Sequence, residues 1–395
     1  MSQLIHPLRP TWVEINLDHL HYNLQQFRRH LGPDVQIMAV VKADGYGHGA
    51  VEIARTALNA GASSLAVAMA DEGIELRRAG IGAPVLLLGY THPEQAPLMR
   101  KYRFTPVVYH LEAARGLSRW FAERGEVLPV HVKVDTGMGR VGVTPQEAVA
   151  FIGAIAAMPG LKLEGVLTHF AAADEEDRSY TEAQLEQFEG VLKACRARGI
   201  EIPVIHAANS AAALQYPDSR YNLVRLGIVL YGCYPSPLFA SDLLKLRPVL
   251  SFKSKIILCK EVPPGTAVSY GCTYRTSRPS RIATVPAGYA DGYNRALSNR
   301  GEVLVRGRRV PIVGRICMDQ FMIDVTAVDG ATEGDEVVLY GRQGNEEITV
   351  DEVAGKLGTI NYELLCTVGK RVPRLYLREG RVALVRDLLG EKSFE

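Results

Sequence analysis

Five short polar or glycine-rich clusters carry side chains that could do chemistry. They are Val41-Lys42-Ala43-Asp44-Gly45-Tyr46-Gly47-His48-Gly49, Lys133-Val134-Asp135-Thr136-Gly137-Met138-Gly139-Arg140, Thr168-His169-Phe170, His206-Ala207-Ala208-Asn209-Ser210 and Arg225-Leu226-Gly227-Ile228. Lys42 closes a strongly apolar run, Val35 to Val41. An amine at the rim of an apolar site can lose affinity for its proton and become a nucleophile, whereas an isolated strand-terminal lysine is usually a solvated end. Asn209-Ser210 stands where a helix beginning at Ala211 would offer free amides and a hydroxyl to an anion; the plain alternative is a helix cap. Gly227 would let backbone N–H groups approach an anion closely.

These clusters need elements to position them. Eight β-rich runs precede residue 240: Val35–Lys42, Ser64–Met69, Val85–Gly89, Thr105–Tyr109, Val130–Asp135, Leu163–His169, Pro203–His206 and Leu223–Leu226. Helix-like stretches such as Leu111–Arg124, Pro145–Ala157 and Tyr180–Arg198 separate them. Strands alternating with helices build parallel sheets, and eight such units in about 240 residues match a TIM-like (β/α)₈ barrel, with an open doubly wound sheet as the alternative. All five clusters then fall at carboxyl ends of strands, the face on which such barrels carry their sites. In Val130–Asp135 the three valines share one face, and His131, Lys133 and Asp135 the other. A barrel has no wet edge, so that polar face points into the interior. The loops after strands seven and eight commonly form a phosphate site. A rim lysine facing such a site indicates a phosphorylated aldehyde held as a Schiff base, which is pyridoxal phosphate.

From about Arg247 the texture becomes mainly antiparallel β: Val249–Val262, Ser280–Val285, Gly301–Val305, Val310–Val328 and Gly334–Tyr340, with one helix near Asp351–Lys356. The expected domains are 1–240 and 241–395, joined near Tyr234-Pro235-Ser236-Pro237, where two prolines interrupt regular structure. Gly137-Met138-Gly139-Arg140-Val141-Gly142 matches a dinucleotide fingerprint, but it follows the fifth strand rather than the first and a charged strand leads into it. The acidic run Asp174–Asp177 reads as a solvated loop and helix start rather than a cation site.

The 395 residues are 47% apolar and 22% charged with a net charge of +2, so a large core is expected and neither nucleic acid nor an anionic membrane has an electrostatic footprint. No run is apolar enough to span a bilayer, and the first residues show no secretory pattern. The six cysteines are scattered without metal-ligand spacing. A cytoplasmic enzyme without a metal is the expectation.

Together these residues closely resemble the alanine racemase family of fold-type III pyridoxal-phosphate enzymes. The resemblance runs from Arg9-Pro10-Thr11-Trp12 to Arg374-Leu375-Tyr376. It includes Val268-Ser269-Tyr270-Gly271, Pro286-Ala287-Gly288-Tyr289-Ala290-Asp291-Gly292-Tyr293 and Cys317-Met318-Asp319-Gln320. It implies a barrel, a β-domain to which the first ten or so residues can belong, and a head-to-tail homodimer with shared sites. Lys42 would hold pyridoxal 5'-phosphate, and Tyr270 of the partner subunit would be the second acid/base. Arg225 would contact the pyridine nitrogen, with His169 linking it to Tyr270. Tyr46, Ser210, Gly227, Ile228 and Tyr376 would hold the phosphate, with His206 and Asn209 beside them. Arg140 and Met318 would contact the substrate carboxylate, while Tyr289 and Asp319 would shape the approach. Lys133 resembles a lysine often carbamylated in this family, which would orient Arg140.

The chemistry needs this set. Inverting an α-carbon requires proton removal on one face and delivery on the other, which two groups accomplish and one does not. A tyrosine ordinarily ionises near pH 10, so it needs a nearby cation to act as a base. Arginine donates a hydrogen bond without yielding its proton, which limits the electron sink and speaks against the decarboxylases sharing this barrel. The expected activity is interconversion of L- and D-alanine, supplying D-alanine for cell-wall peptidoglycan. The alternatives are a serine or broad-spectrum racemase and a non-catalytic pyridoxal-phosphate-binding barrel.

Overall fold

The computed structural model describes residues 9–239 and 244–393. The chain divides into two compact units: one comprises Leu20–Gly45 and Ala50–Leu246, the other the residues up to His19, Tyr46–Gly49 and everything from Arg247. The expected boundary at 240/241 lies outside the described residues, as do the first eight residues.

The first unit is a barrel of eight parallel strands interleaved with helices. After β1 (Thr11–Asn16) come its strands β2 (Gln36–Val40), β3 (Ser64–Val67), β4 (Val85–Leu87), β5 (Phe104–Val108), β6 (Leu128–Lys133), β7 (Leu161–Leu167), β8 (Val204–His206) and β9 (Leu223–Leu226). They pair in the order β8-β7-β6-β5-β4-β3-β2-β9, so the first and last barrel strands meet in register, with Met38 opposite Arg225. Strands buried on both faces read as continuous apolar runs, which is why Ile37 to Val40 are all buried. On the fifth barrel strand Val130 and Val132, and just past its end Val134, have no exposed surface, while His131 and Lys133 between them are also buried.

One seam, β8 to β9, has no ladder. Side chains bridge it instead. Asn222 accepts from Ile205 N at 2.8 Å and donates to Pro203 O at 2.7 Å, reproducing one rung of a sheet. At the other end Arg225 N donates to Ala208 O at 3.0 Å.

The second unit is a twelve-stranded, mainly antiparallel sheet. Its strands are β1, β10 (Leu250–Lys255), β11 (Leu258–Val262), β14 (Ser280–Val285), β15 (Glu302–Val305), β16 (Arg308–Val313), β17 (Phe321–Asp324), β18 (Glu336–Gln343), β19 (Glu346–Ile348), β20 (Arg374–Arg378), β21 (Arg381–Asp387) and β22 (Gly390–Ser393). Between β11 and β14 a separate hairpin pairs β12 (Ala267–Val268) with β13 (Tyr274–Arg275). From sequence alone, Val249–Val262 and Val310–Val328 each look like a single strand. Each is two, because the chain leaves the sheet at Ile256–Ile257 and at Gly314–Gln320. β1 lies centrally in this sheet, antiparallel to β10 and parallel to β20. Among the described residues no helix is long and apolar enough to cross a membrane.

The seam yields a test. Asn222→Ala removes both bridging bonds and should lower unfolding free energy by about 1 kcal/mol, since water replaces part of the loss at this exposed position. Urea unfolding measures it, and an unchanged midpoint would show that the seam closes without Asn222.

Candidate active site

Lys42 stands one residue past the apolar Val35–Val41 run, and the backbone after it does something unusual. Ala43, Asp44, Gly45 and Tyr46 all have φ between 52° and 60°, forming a left-handed turn. Left-handed residues other than glycine are costly and normally occur singly, so three of them within four residues must be held from outside. Two carboxylates do this. Glu72 accepts from Ala43 N at 2.7 Å and from Ala68 N at 2.6 Å, and Asp44 accepts from Ala50 N at 3.0 Å, capping the next helix, Ala50–Asn59. Beyond the turn, Gly49 is required: a Cβ there would sit 1.8 Å from the hydroxyl of Tyr376. Tyr46 and Tyr376 are both buried, and burial pushes the Tyr46 phenol far above the usual tyrosine range, leaving it a proton donor.

Inside the barrel the carboxyl ends of β7, β8 and β9 converge on Arg225, which is 4% exposed. Its guanidinium donates to Thr168 O, His206 O and Ala207 O, each at 2.9 Å. It also donates to His206 Nδ1 at 3.0 Å and His169 Nδ1 at 3.1 Å. Among the described residues no protein atom accepts from its Nε. Burial pulls its pKa down to about 10, so it remains a cation near neutral pH.

A guanidinium only donates, and that decides the neighbouring tautomers. Neutral His169 and His206 must accept at Nδ1 and carry their protons on Nε2. His206 Nε2 then donates to His131 Nδ1 at 2.8 Å, and His131 Nε2 faces Glu164 at 3.4 Å. Burial, followed by the Arg225 charge, holds His169 and His206 well below the usual histidine range. Both are therefore neutral at physiological pH.

Lys133 is buried on the alternate face of β6. Burial first, then the charges of Arg140 and Arg225, lower its pKa to about 8. Arg140 is exposed, and its charge also acts on His169, as does that of Lys42. The barrel mouth thus gathers four basic groups, Lys42, Lys133, Arg140 and Arg225, against Asp135.

The two anion-site candidates separate. Asn209 is the plain cap of helix Ser210–Gln215, accepting from Ala212 N at 3.0 Å. Ser210 Oγ instead accepts from Gly227 N at 2.9 Å, tying the loop after β8 to the loop after β9. Ile228 begins a one-turn 3₁₀ helix, whose first N–H groups have no intrahelical partner. The glycine-rich Gly137–Gly142 loop wraps an internal carboxylate: Gly137 N and Gly139 N donate to Asp135 Oδ1 at 3.1 and 3.0 Å. Asp177 accepts from Ser179 N at 2.9 Å, beside the start of helix Ser179–Ala197.

In the second unit three neighbouring loops present the remaining residues. Tyr270, Tyr289 and Met318 are 72%, 42% and 52% exposed, and Asp319 is exposed with them. Tyr289 N donates to Cys317 O at 3.1 Å, and Ala290 N to Met318 O at 3.1 Å.

Several supporting residues escaped the sequence reading. Gln184, with no exposed surface, donates to His169 O at 3.1 Å and accepts from Ala171 N at 2.9 Å. Its signal was a polar side chain sharing the buried helix face of Phe188, Val191 and Cys195. Arg371 donates to Asp319 Oδ1 at 2.6 Å and to the buried Asp291 at 2.7 Å. Burial alone would raise the Asp291 pKa, but Arg9 and Arg371 outweigh it and hold the carboxyl below its usual range. Neither Arg371 nor Glu72 has a local pattern that marks it.

The buried histidines predict a pH dependence. Unfolded, they take up protons below their ordinary pKa of 6.5; folded, they do not. Their contribution is complete above pH 6.5 and is lost as pH falls below it, by on the order of 1 kcal/mol per histidine per pH unit. Urea unfolding at pH 7.5 and 5.5 should show this loss. Equal stability at the two values would mean that these rings protonate in place.

Profiles described as "Alanine racemase, N-terminal domain" and "Alanine racemase, C-terminal domain" match residues 15–235 and 249–376. Alanine racemase of Halothermothrix orenii is 50% identical over 368 residues, covering 93% of this chain and 97% of the relative. A crystal structure of alanine racemase from Bacillus anthracis with bound L-Ala-P is 42% identical and superposes with a TM-score of 0.92, covering 97% of this chain and 99% of that one. Histidine racemase from Leuconostoc mesenteroides is 31% identical with a TM-score of 0.87, covering 95% of this chain and all of that one.

Proposed function

The chain belongs to the alanine racemase family, isomerases, and we propose that it interconverts L- and D-alanine using pyridoxal 5'-phosphate bound at the barrel mouth. The observation that carries this reading is the buried Arg225, fixed through its terminal nitrogens by three carbonyls and two imidazoles. It leaves Nε–H to offer a ring nitrogen. The residues present fit the cofactor in other respects as well: a basic mouth suits a phosphate, as do the amide ends at Gly227–Ile228 and the buried phenol donors of Tyr46 and Tyr376. Lys42 would hold the aldehyde carbon, and Ser210, Gly227, Ile228, Tyr46 and Tyr376 the phosphate, with Asn209 and His206 supporting.

When bound, pyridoxal 5'-phosphate supplies an electron sink for the pair left on the substrate α-carbon. The remaining chemistry belongs to the protein. The Lys42 amine takes or returns the proton on one face of that carbon. The phenol oxygen of Tyr270 of the partner subunit would do so on the other, with His169 as the proposed link to Arg225. Arg225 donates a hydrogen bond but no proton, which keeps the sink weak and favours return of the proton to carbon over side reactions. Arg140 and the Met318 backbone receive the substrate carboxylate, while Tyr289 and Asp319 shape the approach.

A head-to-tail homodimer follows from this reading, since Tyr270 lies on an exposed loop of the second unit. The role we infer is cytoplasmic supply of D-alanine for peptidoglycan. Because a protein described as a histidine racemase shares this fold, alanine specificity is assayed against serine and histidine.

Borohydride treatment of the pyridoxal-phosphate-loaded protein should fix the cofactor on Lys42, as peptide mass spectrometry reads. Tyr270→Phe should keep that adduct while lowering racemisation by on the order of a thousandfold. No adduct, or normal racemisation by Tyr270→Phe, would overturn the assignment. Lys133 carries a second proposal. A pKa near 8 leaves an appreciable fraction of neutral amine, which adds carbon dioxide to give a carbamate and a proton. Its negative charge would orient Arg140. Protein equilibrated with ¹³C-bicarbonate should show a carbamate resonance that Lys133→Ala lacks; identical spectra would reject the modification.

A further inference from the structure

The hairpin that carries Tyr270 is too small to aim it. β12 and β13 share two residue pairs, Ala267 with Arg275 and Val268 with Tyr274, and an isolated two-stranded ribbon is marginal in water. The Tyr270 side chain is 72% exposed, so its direction is set by the backbone beneath it. That backbone is strained immediately before it. Ser269 has φ 65° and ψ −179°, a region occupied almost only by glycine, and Gly271 (φ 72°) and Cys272 (φ 49°) continue the positive-φ path.

A serine here must be held, and the neighbouring loop holds it. Ser269 Oγ donates to Arg315 O at 2.6 Å and lies 3.6 Å from Cys317 Sγ. Gly314 presses from the same loop: a Cβ there would lie 2.8 Å from Ser269 Cβ and 2.7 Å from Val268 O. Asn299 ties both sides, accepting from Gly314 N at 2.6 Å and donating to Thr273 Oγ1 at 3.1 Å. The loop that receives the serine hydroxyl runs directly into Met318. One side chain therefore locks the phenol-bearing hairpin to the loop proposed to meet the substrate carboxylate.

We propose that Ser269 is a positioning residue for Tyr270: its hydroxyl, fastened to the Arg315 carbonyl, holds the backbone in the strained conformation that aims the phenol. The proposal rests on the reading that Tyr270 supplies the second base. Leverage makes the aim matter. A rotation of about ten degrees at the backbone becomes roughly 1 Å at the phenol oxygen, a misplacement that can cost on the order of a hundredfold in rate.

Two variants of the full-length, cofactor-loaded enzyme test this. Ser269→Ala and Ser269→Gly both lack the hydroxyl, but only glycine adopts the native φ and ψ without strain. Ser269→Gly should therefore melt higher than Ser269→Ala, reversing the order usual where φ is negative. Both should lose kcat, by about ten- to a hundredfold, with KM within about threefold. The decisive readout is the α-deuterium isotope effect measured separately on L- and D-alanine. Misaiming one base slows proton transfer on one face only, so the two isotope effects should diverge from their wild-type ratio. Three results would overturn the proposal: kcat within twofold of wild type, a loss of kcat with that ratio unchanged, or Ser269→Ala melting higher than Ser269→Gly. Tyr270→Phe runs alongside as the control. If it racemises alanine normally, the reading of Tyr270 as a base fails on its own, whatever Ser269 does.

Discussion

A guanidinium with almost no exposed surface lies inside a barrel, and much of the surrounding structure answers to it. Removing such a charge from water costs several kcal/mol unless its donors are satisfied. The terminal N–H groups of Arg225 are satisfied by backbone carbonyls at the ends of β7 and β8 and by two imidazoles, which leaves Nε–H over. Those bonds run across the one seam of the barrel that lacks a ladder, so the cation also joins strands that the sheet does not. The same bonds force both histidines to accept, which keeps them neutral and fixes which nitrogen carries each proton. One buried charge thus sets barrel closure, tautomers and local electrostatics together.

That arrangement constrains the chemistry. A fixed cation surrounded by neutral imidazoles gives the barrel interior a hydrogen-bond donor that keeps its proton, beside the amines of Lys42 and Lys133. Inversion at carbon needs a second base, the role proposed for Tyr270 of the partner subunit. Each proposed proton carrier adjoins a stretch of left-handed backbone, Ala43 to Tyr46 after Lys42 and Ser269 before Tyr270. Strain of this kind persists only where surrounding groups over-determine it, and in both places they do: Glu72 and Asp44 hold the first, and the Arg315 carbonyl the second.

Much of this was legible in the sequence because it is local. Continuous apolar runs such as Ile37–Val40 mark barrel strands, and polar residues at their carboxyl ends mark the mouth. The valine alternation of β6 marks Lys133 as lying on the other face, and Lys133 is buried. Other features depend on distant residues. β1 reads as a prelude to the barrel, yet its partners are Leu250–Lys255 and Arg374–Arg378, more than two hundred residues away. Asn209 and Ser210 look equivalent in sequence, but one caps its own helix while the other reaches Gly227. The Gly137–Gly142 pattern, discounted as a dinucleotide fingerprint from its place in the chain, turns two of its amides to the nearby Asp135. Gln184, Glu72 and Arg371 do their work through tertiary contacts that no spacing rule encodes.

The central claim is that one working site takes Lys42 from one subunit and Tyr270 from the other. Mixing Lys42→Ala protein with Tyr270→Phe protein tests it directly, with native mass spectrometry to confirm that subunits have exchanged. Neither variant alone should racemise alanine appreciably. A hybrid dimer would contain one site with both native groups, so statistical exchange should restore roughly a quarter of wild-type activity. Proven hybrids that remain as inactive as their parents would contradict the shared site.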